Sequence, residues 1–167
     1  MRRPARRHLL FASAALAGTL VDQVAKALVA ARFPENAADA APVIPGLVGI
    51  LRHRNYGALW GLGDDYPTLL ILISFAAMGL IIWLFVSAKP HRRLTDLALA
   101  LMMAGALGNL IDRLLLGYVH DFIKLLFVTY PVFNLADMWL TVGVGLMLVG
   151  LAFGRKPHPL SKTEPAA

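Results

Sequence analysis

The sequence contains no cysteine. Disulfides, thiol nucleophiles and cysteine-ligated metals are therefore excluded. Acidic residues are scarce, ten against sixteen Lys and Arg, and the stretch from Thr68 to Ala88 carries no charge at all. The five histidines are scattered, without the clustered spacing a zinc site needs. There is no GxSxG or Ser-Lys pattern for a serine hydrolase, and no GxxxxGK[ST] loop to cradle phosphate. No internal repeat or low-complexity tract stands out.

What is present is apolar. Hydrophobic residues make up 58% of the 167-residue chain and the mean hydropathy is +0.65, above the usual share for a soluble domain. A net charge of +6 and a pI near 10.1 could indicate nucleic acid, but the positions of the cations argue against it. Arg2, Arg3, Arg6 and Arg7 precede the first apolar run, Lys89, Arg92 and Arg93 separate two others, and Arg155, Lys156 and Lys162 follow the last. Cations so placed are the flanks of membrane spans on the cytoplasmic side.

Four spanning helices are predicted, about 9–31, 67–88, 94–116 and 135–153, each near the ~20 residues that cross a bilayer core. They form one integral membrane domain, 1–154, and the polar tail 155–167 is expected to be disordered. The basic start followed by HLLFASAALAGTLV also resembles a signal peptide, but apolar character resumes after Lys26. The Lys/Arg flanks place both ends and the KPHRRL turn in the cytoplasm, with 32–66 and 117–134 outside. In the longer outer segment Pro34, Pro42, Pro45 and Gly46 break the chain, and GLVGIL-RHRNYGALWGL reads as one or two short strands. Tyr56, Trp60, Tyr66, Tyr118, Tyr130 and Trp139 suit the outer headgroup level.

With this orientation the polar residues of three spans meet near one interface: Asp22 and Lys26, then Asn109, Asp112 and Arg113, then Asn134 and Asp137, with Asp121 in the loop between the last two spans. A charge at the centre of a membrane helix costs about 3 kcal/mol on insertion scales, so this concentration points to a polar site. Each residue also has a plainer reading. Asp22 and Lys26 form an i,i+4 ion pair. Asn109 and Asn134 join helices. Arg113 either reaches the headgroups or orients a carboxylate. His120 is a solvated loop histidine, and Asp137 a first-turn acid. The pairing of Asp121 with Asp137 is more specific. Two carboxylates sharing a site titrate apart, so that one activates water while the other protonates a leaving amine. The same carboxylates could instead line a proton or ion pathway, but a pathway needs polar groups in both halves of the membrane, and the inner halves of spans two and four have almost none.

The segments DQVAKALV, RNYGALWGL, GALGNLIDRLLLGYVHDFI and FNLADMWLTVG resemble, in order and spacing, the boxes of bacterial lipoprotein signal peptidase (signal peptidase II), over about residues 20–145. The resemblance implies an all-α membrane protein with four transmembrane helices and a small outward-facing β-cradle between helices one and two. It implies an aspartic endopeptidase of the bacterial inner membrane that removes the signal peptide from diacylglyceryl-modified prolipoproteins, cutting before the lipid-modified cysteine. By motif position the catalytic pair falls on Asp121 and Asp137. Asn55, Gly57, Asn109, Arg113 and Asn134 fall on positions that bind substrate or support the site, and Asp22 and Lys26 on the first box. No cofactor or metal is expected. The expected partners are the lipidated precursor and membrane lipid, with no nucleic acid and no second subunit. Two departures, Ala58-Leu59-Trp60 after NYG and GALGN in place of a paired glycine, bear on pocket shape. Which aspartate is the acid stays open, although the amino end of span four favours a charged Asp137.

Overall fold

The structure is a computed structural model and describes residues 3–35, 37–57, 66–87 and 93–153. Four helices, α1 (Arg3–Arg32), α2 (Pro67–Ser87), α3 (Arg93–Leu116) and α4 (Leu135–Ala152), are long and apolar enough to cross a membrane. Helix α3 is the hub and packs against the other three. Its inward residues are mostly small: Ala98, Ala100, Ala104, Gly105, Ala106 and Gly108 are all buried, which lets the helix axes approach closely. At Gly105 an added Cβ would collide with the Ala136 carbonyl and Leu140, and at Gly108 it would lie 2.6 Å from Asp22 Oδ2. The spacing in GALGN therefore gives α4 and α1 each a glycine to approach. Helix α2 buries only Ile81 and Phe85. Phe85 stacks on Phe11, and Arg7 joins Asp96 at 2.7 Å while donating to the Phe85 carbonyl, which fastens α2 to the bundle at the end far from the sheet. The outward leucines and valines of all four helices stay exposed, as lipid-facing residues do.

A three-stranded antiparallel sheet covers the other end, in the order β1 (Ala41–Ile44), β2 (Val48–Asn55), β3 (Val119–Leu125). Pro45 and Gly46 turn the chain between β1 and β2. Gly46 has φ 75°, and Leu47 N donates to the Ile44 carbonyl at 3.0 Å, as at the third position of a type II turn. Pro42 is tolerated because β1 is an edge strand. Two expectations are corrected here. The sheet is not confined to the segment between helices one and two, because its third strand comes from the segment between helices three and four. Asp121 accordingly lies on a strand, paired with His53 of β2, and not in a loop. Beyond β3 the chain turns back, and Ile123 and Phe133 exchange backbone hydrogen bonds of 2.7 and 3.1 Å. That bridge delivers Asn134 beside Asp121 at the start of α4. The segment 58–65, with Trp60 and the Ala58-Leu59 departure, and the tail 154–167 lie outside the described residues.

Candidate active site

The first turn of α4 is built from its own sequence. Asn134 is the N-cap: its Oδ1 accepts the Asp137 N–H at 3.0 Å, and Asp137 Oδ2 accepts the Asn134 N–H at 3.2 Å, a complete capping box. This backbone donor also orients the rest of the site. With Asn134 Oδ1 occupied by an N–H, Nδ2 must face acceptors, and it donates to Asp121 Oδ1 at 2.6 Å and to Asn109 Oδ1 at 3.1 Å. Asn109 in turn directs its own Nδ2 to Asp137 Oδ1, at 2.8 Å. Two amides and one carboxylate thus close a ring, Asn134–Asp137–Asn109, and Asp121 is joined to it through Asn134 Nδ2.

The second oxygen of Asp121 accepts from Asn55 Nδ2 at 2.8 Å, and Asn55 Oδ1 accepts the Gly57 N–H at 3.0 Å. Arg113 Nη2 donates to the Gly57 carbonyl at 3.1 Å, while its Nε is buried without a partner. The NYG segment is thereby held over the ring by one side chain from each side. Asp121 is 1% exposed. Burial and the nearby charge of Asp137 raise its carboxyl from the ordinary 3.8 to about 7, against the opposing pull of the Asn55 and Asn134 hydrogen bonds.

Behind the ring sits the pair expected in the first box. Lys26 Nζ lies 2.8 Å from Asp22 Oδ2, and it also reaches Asp112 Oδ2 at 3.0 Å and Asn109 Oδ1 at 3.2 Å. Its three hydrogens are all used. Asp22 does more than neutralise Lys26, because its Oδ1 accepts the Ala136 N–H at 2.9 Å. A side chain of α1 thus caps the second residue of α4, where the helix dipole favours an anion.

Sequence reasoning places Asp112 in the polar cluster without a partner and misses Gln23. Asp112 is buried against Lys26, and its oxygens also accept Gln23 Nε2 and the His120 backbone N–H, both at 3.0 Å. Its i,i+3 spacing from Asn109 was the available signal, since residues so spaced share a helix face. Gln23, which also donates to the Gly108 carbonyl, left no signal. His120 is not the solvated loop histidine expected: it lies on β3, half-buried, with a buried Nε2. Trp139, expected among the interfacial aromatics, uses its indole N–H to join α4 to the Gly18 carbonyl of α1.

Residues 14–153 match the family model described as signal peptidase (SPase) II. A lipoprotein signal peptidase of Staphylococcus carnosus (strain TM300) is 38% identical over 140 residues, covering 83% of this chain and 87% of that protein. One of Staphylococcus aureus (strain JH9) is 36% identical over 134 residues, covering 79% and 81%. The fold is similar to two solved structures of a bacterial membrane enzyme. One has a TM-score of 0.81 at 32% identity, over 89% of this chain and 93% of that one. The other has 0.79 at 33%, over 87% and 94%.

Proposed function

Because the chain belongs to the signal peptidase II family, and is thus a membrane aspartic peptidase that cleaves lipoprotein signal peptides, we propose that Asp121 and Asp137 are its catalytic pair. The observation that carries this reading is that one residue, Asn134, bonds both carboxylates, Asp121 through its Nδ2 and Asp137 through its Oδ1 and backbone N–H, and that the Asp137 charge acts on Asp121. One aspartate, ionised, takes a proton from water as the water oxygen attacks the scissile carbonyl. The other, protonated, polarises that carbonyl. When the C–N bond breaks, the amine leaves with a proton and the pair returns to one proton. The burial and the Asp137 charge that raise the Asp121 carboxyl favour one shared proton on the pair near neutral pH. Arg113, Asn55 and Gly57 position substrate backbone and the Asp121 carboxylate. No metal or cofactor enters this scheme.

The substrate follows from the setting. Among the described residues, the buried polar side chains Thr19, Asp22, Lys26, Asn109, Asp112, Asp121 and Asn134 lie in the sheet-side halves of the bundle or on the sheet, which supports a site at one membrane face over a pathway through it. A precursor with its signal helix in the bilayer and acyl chains beside the bundle fits such a site. The precursor is therefore expected to need its diacylglyceryl group, with cleavage just before the lipid-bearing cysteine. Purified enzyme offered the same precursor with and without the lipid should cut the modified form at least about tenfold faster; equal rates would disprove the lipid requirement.

The same reading places the protein as one integral domain, 1–154, in the inner membrane, with both termini and residue 91 cytoplasmic and the sheet outside, from the Lys/Arg flanks. The cysteine-free sequence makes labelling of single introduced cysteines in intact cells a clean test. Positions 39 and 129 should label and 91 should not, and external labelling at 91 would overturn the orientation. Asn55 and Asn134 satisfy Asp121, and Asn109 and Asn134 satisfy Asp137, from within the chain, and the enzyme is proposed to act as a monomer. Light scattering of the active detergent complex would reveal a second subunit.

A further inference from the structure

Successive side chains of a strand leave opposite faces. On β3, Asp121 faces Asn134 and Asn55 of the active site, and its neighbour His120 lines a second cavity, of about 220 Å³, between α1 and α3. Ala27 and Ala30 form one wall, Leu115 and Leu116 the other, and Asp112 and Lys26 the floor. The floor is chemically closed. Lys26 has used its three hydrogens, and Asp112 accepts Lys26, Gln23 and the His120 backbone N–H. The rim is not. His120 Nε2 and Arg52 Nε are both buried without a partner. Arg52 does not line the cavity but adjoins it: its Nη1 donates at 3.1 Å to the carbonyl of Ala30, a wall residue, its Nη2 lies 3.7 Å from Glu35, and its charge acts on His120. Burial lowers the His120 imidazole below its ordinary value, so near neutral pH the uncharged ring can present an Nε2–H donor.

The outer wall shows where this cavity opens. Leu115 is 77% exposed and Leu116 45%, at the sheet end of a membrane-crossing helix, where hydrocarbon gives way to headgroups. A ligand here meets two unsatisfied nitrogens at one end and leucines at the other. A purely apolar molecule would leave both nitrogens unsatisfied. A small anion would make no use of the leucines.

We propose that this cavity is a binding site for a membrane phospholipid, distinct from the amide ring, in which Arg52 and His120 donate to the phosphate oxygens and an acyl chain lies along Leu115 and Leu116. Guanidinium–phosphate hydrogen bonds are among the strong, geometrically specific ones, and the phosphate gives the buried Arg52 Nε its missing acceptor.

The test is a binding titration of delipidated protein in neutral detergent, read by native mass spectrometry. Four probes are used: a phosphatidylglycerol, the diacylglycerol with the same chains, glycerol phosphate and inorganic phosphate. Phosphatidylglycerol should bind at least about tenfold more tightly than each of the other three, a difference of about 1.4 kcal/mol. Ala27→Phe fills the cavity and removes no polar group; His120→Phe removes one donor. Each should weaken phosphatidylglycerol about tenfold or more, and His120→Phe should leave the diacylglycerol unchanged. Equal phosphatidylglycerol binding by the wild type and Ala27→Phe would overturn the site. Diacylglycerol binding as tightly as phosphatidylglycerol would overturn the phosphate contact, and glycerol phosphate or inorganic phosphate doing so would overturn the lipid as occupant. The readout is binding, so none of these outcomes depends on the cleavage reaction.

Discussion

Asparagine at position 121 or 137 is expected to reduce cleavage of a lipid-modified precursor by roughly three orders of magnitude or more, the scale seen when one member of a catalytic unit is removed. The side-chain volume hardly changes, so the loss reports chemistry if the fold survives. The hydrogen bonds define the control that is needed. Both oxygens of Asp121 accept amide N–H groups, from Asn55 and Asn134, and an asparagine there would turn one donor towards another donor. Asn134 cannot flip to relieve this without losing the Asp137 N–H. Asp121→Asn should therefore also lose some stability, and each variant has to be compared with the wild type by unfolding in detergent alongside the rate. Wild-type cleavage by either folded variant would remove that residue from the mechanism.

Lys26→Met carries the largest expected loss of stability, about 3–5 kcal/mol, the range for breaking a buried ion pair by removing one partner. The ammonium lies among Asp22, Asp112 and the Asn109 carbonyl oxygen with almost no exposure. Methionine matches its volume but leaves two carboxylates facing each other in a low-dielectric interior. Asp22→Asn should cost less, because an amide oxygen can still cap Ala136. The unfolding midpoint in one detergent at one pH ranks the variants. A Lys26→Met protein as stable as the wild type would mean that the carboxylates are neutralised in some other way.

The four spans could be read from the sequence because hydrocarbon tolerates so few patterns: long apolar runs, no charge from Thr68 to Ala88, and cations at the flanks. The third strand could not. Val119, Asp121 and Ile123 alternate along one face of β3, but the buried aspartate interrupts the apolar pattern that would betray a half-buried strand. Its partner β2 is also more than sixty residues away in sequence. The same distance hid Asp112 from Lys26, since a carboxylate next to an arginine offers no hint that its charge is spent on another helix. The candidate site was nameable through its family resemblance, whereas the ring that joins its members depends on the capping box of α4, and that follows from where the Ile123–Phe133 bridge delivers Asn134.

The most direct test of the shared-proton pair is the rate of cleavage of a lipidated precursor against pH, in a detergent where the enzyme stays folded throughout. The active form carries one proton on two carboxylates. The rate should rise from acid pH as the pair loses its first proton. It should then fall through about pH 7 as Asp121, held up by burial and by the charge of Asp137, loses the second. The two limbs belong to the pair as a whole. A rate that reaches a plateau and is still there at pH 9, with the protein folded, would contradict a mechanism in which one aspartate must remain protonated.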